Sequence, residues 1–140
     1  MRILLLSFSF CALLACTGKK NLSRATILNG EAFLLTETSP DPDYGYTEAK
    51  PIMVGGVTTD EGPLNERRFL NSLLGPEGDP VYYERTGSCC DFKTENGFMG
   101  YGLLDVYEVD YEGLEEPITL YINMYDAGPL YIPVNFTARK

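Results

Sequence analysis

The chain has 140 residues, with 20 acidic against 11 basic side chains, no histidine and a formal charge of −9. That length fits one domain around a single core. The acidic balance argues against a nucleic-acid partner, which needs clustered Lys and Arg, and the missing imidazole excludes Ser-His-Asp and Cys-His catalysis and His-ligated zinc or iron.

The first element is a leader. Arg2 precedes an apolar run, Ile3 to Ala15, broken only by Ser7 and Ser9. A positive start and a short apolar stretch read as a secretory signal peptide, since a spanning helix needs about 20 apolar residues. Leu13-Leu14-Ala15-Cys16 closes the run and resembles the lipobox of bacterial lipoproteins. That resemblance implies cleavage before Cys16, a diacylglycerol on its thiol and an acyl group on its new amine. One acyl chain binds marginally, at about 0.8 kcal/mol per buried CH₂, so three chains anchor firmly. The membrane, through this N-terminal lipid, is therefore one expected partner. Losing the first fifteen of 140 residues leaves 125, and losing Arg2 but no acid takes the charge from −9 to −10. Thr17 rather than Asp follows Cys16, and Gly18-Lys19-Lys20-Asn21 carries no acidic run. Among the lipoproteins that the motif resembles, Asp at that place favours the inner membrane and an acidic run the cell surface, so the resemblance implies the outer membrane, at its periplasmic face. The division expected is a signal peptide at 1–15, a lipidated N-terminus and tether at 16–26, and one domain at 27–140.

Within the domain, Asn29-Gly30 separates Ile27-Leu28 from Phe33-Leu34-Leu35, a strong hairpin signal. Ser39-Pro40-Asp41-Pro42-Asp43 is a loop. Its two aspartates faintly resemble a calcium loop, but Gly45 stands where an oxygen ligand belongs, and the turn reading is preferred. Tyr44 to Val57 reads as an edge strand, interrupted by Pro51 and closed by Gly55-Gly56. Residues 63–74 form the one expected helix. Asp60 and Glu61 precede it, Gly62 is the expected N-cap, and Pro63 suits the first helical position. Phe69, Leu70, Leu73 and Leu74 share a face, Arg67 and Arg68 point to solvent, and Gly75-Pro76 ends the helix.

Strands follow. Val81 to Arg85 is short, and the glycines from Gly97 to Gly102 read as a flexible link. Leu103 to Tyr111 alternates, with Leu104, Val106, Val109 and Tyr111 inward and a bulge expected at Tyr107-Glu108. Ile118 to Tyr125 alternates more cleanly, with Ile118, Leu120, Ile122 and Met124 on one face. Leu130 to Phe136 is a last strand broken by Pro133. The expected fold class is α+β, a mostly antiparallel sheet with one helix packed on a face.

The sharpest chemical feature is Cys89-Cys90. Three readings stay open: a vicinal disulfide fixing a turn, two buried thiols on opposite faces of a strand, and a redox or metal site. The first is preferred. Neighbouring thiolates without histidine make a poor chelate, so no metal and no cofactor is expected. Ten tyrosines and no tryptophan could form a sticky surface, yet tyrosine suits half-buried strands anyway. Glu115-Glu116 and Asp60-Glu61 are adjacent, whereas catalytic carboxylates face each other across a cleft. No catalytic residue is assigned.

From Tyr46 onward the chain resembles a family of small lipoproteins of Gram-negative bacteria. The matching stretches are Pro51 to Gly56, Gly62 to Leu70, Arg85-Thr86-Gly87-Ser88-Cys89-Cys90, Gly102 to Asp105 and Tyr121 to Asp126. Some members bear the label 2-dehydro-3-deoxyphosphooctonate aldolase. Enzymes of that name use a (β/α)₈ barrel of about 250 residues, and a chain about half as long with one helix does not support the label. The resemblance implies an envelope lipoprotein and no activity. The expected function is a non-catalytic periplasmic binding or envelope-assembly module of the outer membrane, with an envelope protein or glycan as partner. The alternatives are a thiol-redox or other envelope enzyme centred on Cys89-Cys90 and a carrier of small apolar ligands.

Overall fold

The computed structural model describes residues 26–140. The signal peptide, Cys16 and the tether up to residue 25 lie outside the described residues. The domain is α+β, built on a four-stranded sheet with one helix.

The first hairpin forms where Asn29-Gly30 placed it. β1 (Ile27–Leu28) pairs antiparallel with β2 (Ala32–Phe33). Asn29 and Gly30 both take positive φ, 48° and 78°, the left-handed conformation that these residue types tolerate best.

β3 is only Ile52–Met53 and pairs in parallel with β7 (Ile118–Asn123) at one edge of the sheet. The edge position expected from Pro51 holds, but residues 44–50 make turns instead of strand. Backbone bonds close these turns, with Tyr46 N–H to the Asp43 carbonyl at 3.0 Å and Gly45 N–H to the Lys50 carbonyl at 2.7 Å, and two hydroxyls add to them. Tyr44 Oη accepts the Tyr131 N–H at 3.3 Å, and Tyr46 Oη donates to the Val134 carbonyl. These bonds hold the segment against the C-terminal loop. The aspartates before it make a turn, with Lys50 Nζ at 2.8 Å from Asp41 and 3.2 Å from Asp43.

Helix α1 spans Gly62–Ser72, with Glu61 as N-cap and Gly62 already helical. It stops two residues earlier than the apolar stripe suggests. Leu73–Leu74 is extended and forms β4, paired with β8 (Thr137–Ala138). Gly75 is accordingly no left-handed cap. Phe69, Leu70 and Leu73 are buried, and Leu64, off the stripe, is partly exposed. Arg68 does not face solvent freely: it donates to Glu61 at 3.1 Å and Asn65 at 2.9 Å. Ser72 Oγ accepts the Phe33 N–H at 2.8 Å and donates to the Arg68 carbonyl at 2.7 Å, tying the helix end to β2.

The sheet runs β3-β7-β6-β5. β5 spans Tyr82–Phe98, far beyond Arg85, and pairs with β6 (Tyr101–Asp110) as one long antiparallel hairpin. Its register slips between Arg85 and Gly87, Cys89 and Asp91, and Lys93 and Phe98. The bulges thus lie on β5, not at Tyr107-Glu108. The glycine segment is a two-residue turn rather than a flexible link: Phe98 pairs with Tyr101, and Met99 and Gly100 take φ of 52° and 83°. β7 is Ile118–Asn123, antiparallel to β6, with Leu120 and Ile122 fully buried. On β6 Leu104, Asp105, Tyr107 and Val109 are buried and Val106 is half-buried; Tyr107 and Val109 face the core, whereas Leu104 lies on the other face of the sheet. Leu130 to Phe136 forms no strand. Ile132 makes a single bridge to Thr38, and the chain pairs only at β8, as Pro129 and Pro133 lack the donors a ladder needs.

Phe69, Leu70 and Leu73 of the helix pack with Ile52, Tyr107, Val109, Leu120, Ile122, Phe33 and Phe136 in one core. The tyrosines mostly line its margin: Tyr83 and Tyr107 meet edge to face at 6.1 Å, and Tyr44 and Tyr131 at 5.8 Å. No helix among the described residues is long and apolar enough to cross a membrane.

Candidate functional site

Chemistry-bearing side chains collect in two places, one on each side of the sheet. The first is a groove of about 480 Å³ lined by Met53, Cys90, Phe92, Leu104, Asn123 and Asp126, with the Glu48–Pro51 turn at its margin. The register explains its course. Met53 pairs with Asn123, and Asn123 and Leu104 each lie one residue from the Ile122–Asp105 pair. Neighbouring residues on a strand point to opposite faces. The groove therefore crosses all four strands opposite the helix.

Cys89 and Cys90 are joined by a disulfide, with Cα atoms 3.7 Å apart. In a regular strand their side chains would diverge. Here Cys89 pairs with Leu104 and Asp91 with Leu103, so Cys90 is the extra residue of a bulge and takes φ of 59°. That left-handed residue turns both sulfurs to the same side. Both cysteines are half-buried. The Glu48 carboxylate comes from the turn before β3, and its oxygen and the two sulfurs all lie within 4.8 Å of one another. Sequence reasoning missed Glu48, which stands 41 residues before Cys89 and carries no local signal.

At the far end of the groove Asp126 accepts hydrogen bonds from Thr94 Oγ1 at 2.6 Å, Asn96 Nδ2 at 2.9 Å and Asn123 Nδ2 at 3.3 Å. Burial alone would raise its pKa, but these three donors outweigh that and hold it below the usual carboxylate range.

The second place lies under the helix. Glu66 is 1 % exposed. Its Oε2 accepts the Tyr107 hydroxyl at 2.8 Å, and its Oε1 has no partner. Asp105 is close, and is itself bonded by Arg85 Nη2 at 2.7 Å and Ser88 Oγ at 2.8 Å. Burial, then the negative charge of Asp105, pushes Glu66 up to about 7, against the Tyr107 hydrogen bond and Arg85. A signal for Glu66 did exist. Its spacing to Phe69, Leu70 and Leu73 puts it on the apolar stripe. One carboxylate of the cluster, Asp105, is already paired to Arg85, and Glu66 lies within the core.

Glu115 and Glu116 are exposed loop charges, and Glu61 serves Arg68. Four exposed apolar side chains lie elsewhere, at the end of the β5–β6 hairpin: Phe98 at 85 %, Met99 at 83 %, Tyr101 at 48 % and Leu103 at 47 %, while Tyr82, at 71 %, stands at the other end of β5. Comparisons with protein-family models, with curated proteins and with solved structures find no match to this chain.

Proposed function

We propose that this chain is a lipid-anchored, non-catalytic module of the outer membrane, held by Cys16 and binding an envelope protein on the periplasmic side through the tip of the β5–β6 hairpin. The leader and Leu13-Leu14-Ala15-Cys16 support the anchor. The tip carries the binding half of the reading. Phe98 and Met99 are almost fully exposed on a tight turn, and Met99 keeps a bulky side chain at φ of 52°, where Gly or Asn costs less. Leu103 and Tyr101 extend the patch down β6. Exposed apolar clusters of this kind mark interaction sites. The partner is a protein rather than the bilayer, because a charge of −10 after loss of Arg2 is repelled by an anionic surface. The ten residues from 17 to 26 span at most about 35 Å, which keeps the domain close to the membrane.

The experiment is photo-crosslinking from a reactive residue replacing Phe98, in cells expressing the anchored chain. A discrete protein adduct is expected, weakened by Leu103→Asp and by Cys16→Ser. Crosslinking no stronger than from exposed Glu115 would overturn the reading.

A second reading, thiol–disulfide exchange, is favoured by one observation: Cys90 lines a groove and is bonded to Cys89. A partner's thiolate would attack one sulfur, form a mixed disulfide and free the other as a thiolate. Cys90→Ser should then trap mixed disulfides through Cys89. Absence of any trapped species from either single Ser variant would exclude exchange.

A further inference from the structure

We propose that reduction of Cys89–Cys90 creates a zinc site, with the two thiolates and the Glu48 carboxylate as protein ligands. This goes beyond binding at the hairpin and does not require a partner's thiol.

Three observations lead to it. The first is proximity: the Glu48 oxygen and both sulfurs lie within 4.8 Å of one another. Tetrahedral zinc, with Zn–S near 2.3 Å and Zn–O near 2.1 Å, sets its donors roughly 3.3 to 3.8 Å apart. Side-chain rotation about the Cβ bonds and a small carboxylate swing cover the difference.

The second is preorganisation. Neighbouring thiols on a regular strand face away from each other, which is why the pair looks unpromising in the sequence. The extra residue at Cys90 is fixed by the register on both sides, Cys89 with Leu104 and Asp91 with Leu103. That register belongs to the β5–β6 ladder and survives cleavage of the S–S bond. The freed thiols therefore stay on one side, facing Glu48.

The third is charge and donor type. Asp91 and Asp126 line the same groove, and Asp126 is held in its ionised form by three hydrogen bonds. A cation entering the groove meets three carboxylates, Glu48, Asp91 and Asp126, and no Lys or Arg among its lining residues. Two soft thiolates and one hard carboxylate suit borderline-soft Zn²⁺ better than Mg²⁺ or Ca²⁺, and water takes the fourth position.

The chemistry has two steps. A dithiol reductant transfers two electrons and two protons to the disulfide, leaving two protein thiols, and departs as its own disulfide. Zn²⁺ then displaces the two thiol protons to solvent as both Zn–S bonds form. A disulfide oxidant then takes the two electrons back, draws two protons from solvent and leaves as two thiols, while the Cys89–Cys90 bond re-forms and Zn²⁺ is released, so occupancy follows the redox state of the envelope.

The test uses the mature lipidated chain in detergent without a histidine tag. It is reduced with a trialkylphosphine, which becomes the phosphine oxide, and is desalted under argon before metal is added. Zn²⁺ is titrated against a chromophoric chelator, with Mg²⁺ as control. The expected result is one Zn²⁺ per reduced chain, none at the same concentration when oxidised, and none in the Cys89→Ser, Cys90→Ser double variant. Glu48→Gln, an exposed change that leaves the fold intact, should weaken binding by at least about tenfold, the scale seen when even supporting groups of a metal site are lost. Glu115→Gln should bind like wild type. Equal uptake by oxidised and reduced chains, wild-type affinity in Glu48→Gln, or no uptake by the reduced chain would each overturn the proposal. None of those outcomes bears on crosslinking at Phe98 or on mixed-disulfide trapping, which test the other readings separately.

Discussion

Glu66 makes the stability of this domain fall as pH rises through neutrality. Its carboxyl is buried, lies near Asp105 and is pushed up to about 7. In the unfolded chain an ordinary glutamate titrates near 4.5. The folded state thus binds the extra proton between those values, and ∂ΔG/∂pH is negative there. The contribution is fully present below about pH 4.5 and lost as pH climbs through 7. Between pH 5 and pH 8 the loss amounts to about 2.5 kcal/mol, from a shift of roughly 2.5 pH units at 1.36 kcal/mol each, less the part already lost at pH 5. Glu66→Gln keeps the size and a hydrogen bond for Tyr107 but has no proton to lose. Urea denaturation of both chains at pH 5 and pH 8 isolates the effect, because the other carboxylates are common to both. The variant should gain about 2.5 kcal/mol on wild type over that interval. Parallel pH dependence in the two chains would refute the assignment of the shift to Glu66.

Other consequences follow from single contacts. Ser72→Ala leaves the buried Phe33 N–H without its 2.8 Å acceptor and should cost about 1–3 kcal/mol in urea unfolding. Gly102→Ala brings a Cβ to 2.8 Å from the Tyr125 ring and 2.9 Å from the Phe92 ring, and should lower stability by about 1–3 kcal/mol while splaying that edge-to-face pair. Leu103→Asp, at an exposed position, should leave unfolding within about 0.5 kcal/mol of wild type and still reduce crosslinking from the hairpin tip.

The parts of this fold that were legible are those written in local chemistry. Asn29-Gly30 gave its turn, Pro63 and the Phe69, Leu70, Leu73 stripe gave the helix, and Leu120 with Ile122 gave a central strand. β5 escaped because its pattern, Tyr82 to Phe98, is polar and mostly exposed. What makes it a strand is the ladder to β6, a non-local pairing that no window of alternation shows. Its three bulges shift the phase again, so Cys89 and Cys90 come to one side where a plain strand would part them. The helix end failed for a related reason. Leu73 and Leu74 fit the helical stripe, yet pairing with Thr137 and Ala138 claims them as β4, a partner more than sixty residues away. Glu66 and Glu48 were missed differently. Glu66 sits on the apolar stripe and was passed over as a charge, and Glu48 acquires its place beside the sulfurs only through the turn that leads into β3.

The hairpin tip is the proposed binding surface of a chain proposed to be held at the membrane by Cys16. Crosslinking in intact cells from a photoreactive residue at position 98, set beside the same residue at position 115, tests that most directly. The account predicts a discrete protein adduct at 98 that fades with Cys16→Ser and with Leu103→Asp. Equal, diffuse labelling from both positions, unaffected by either substitution, would contradict it.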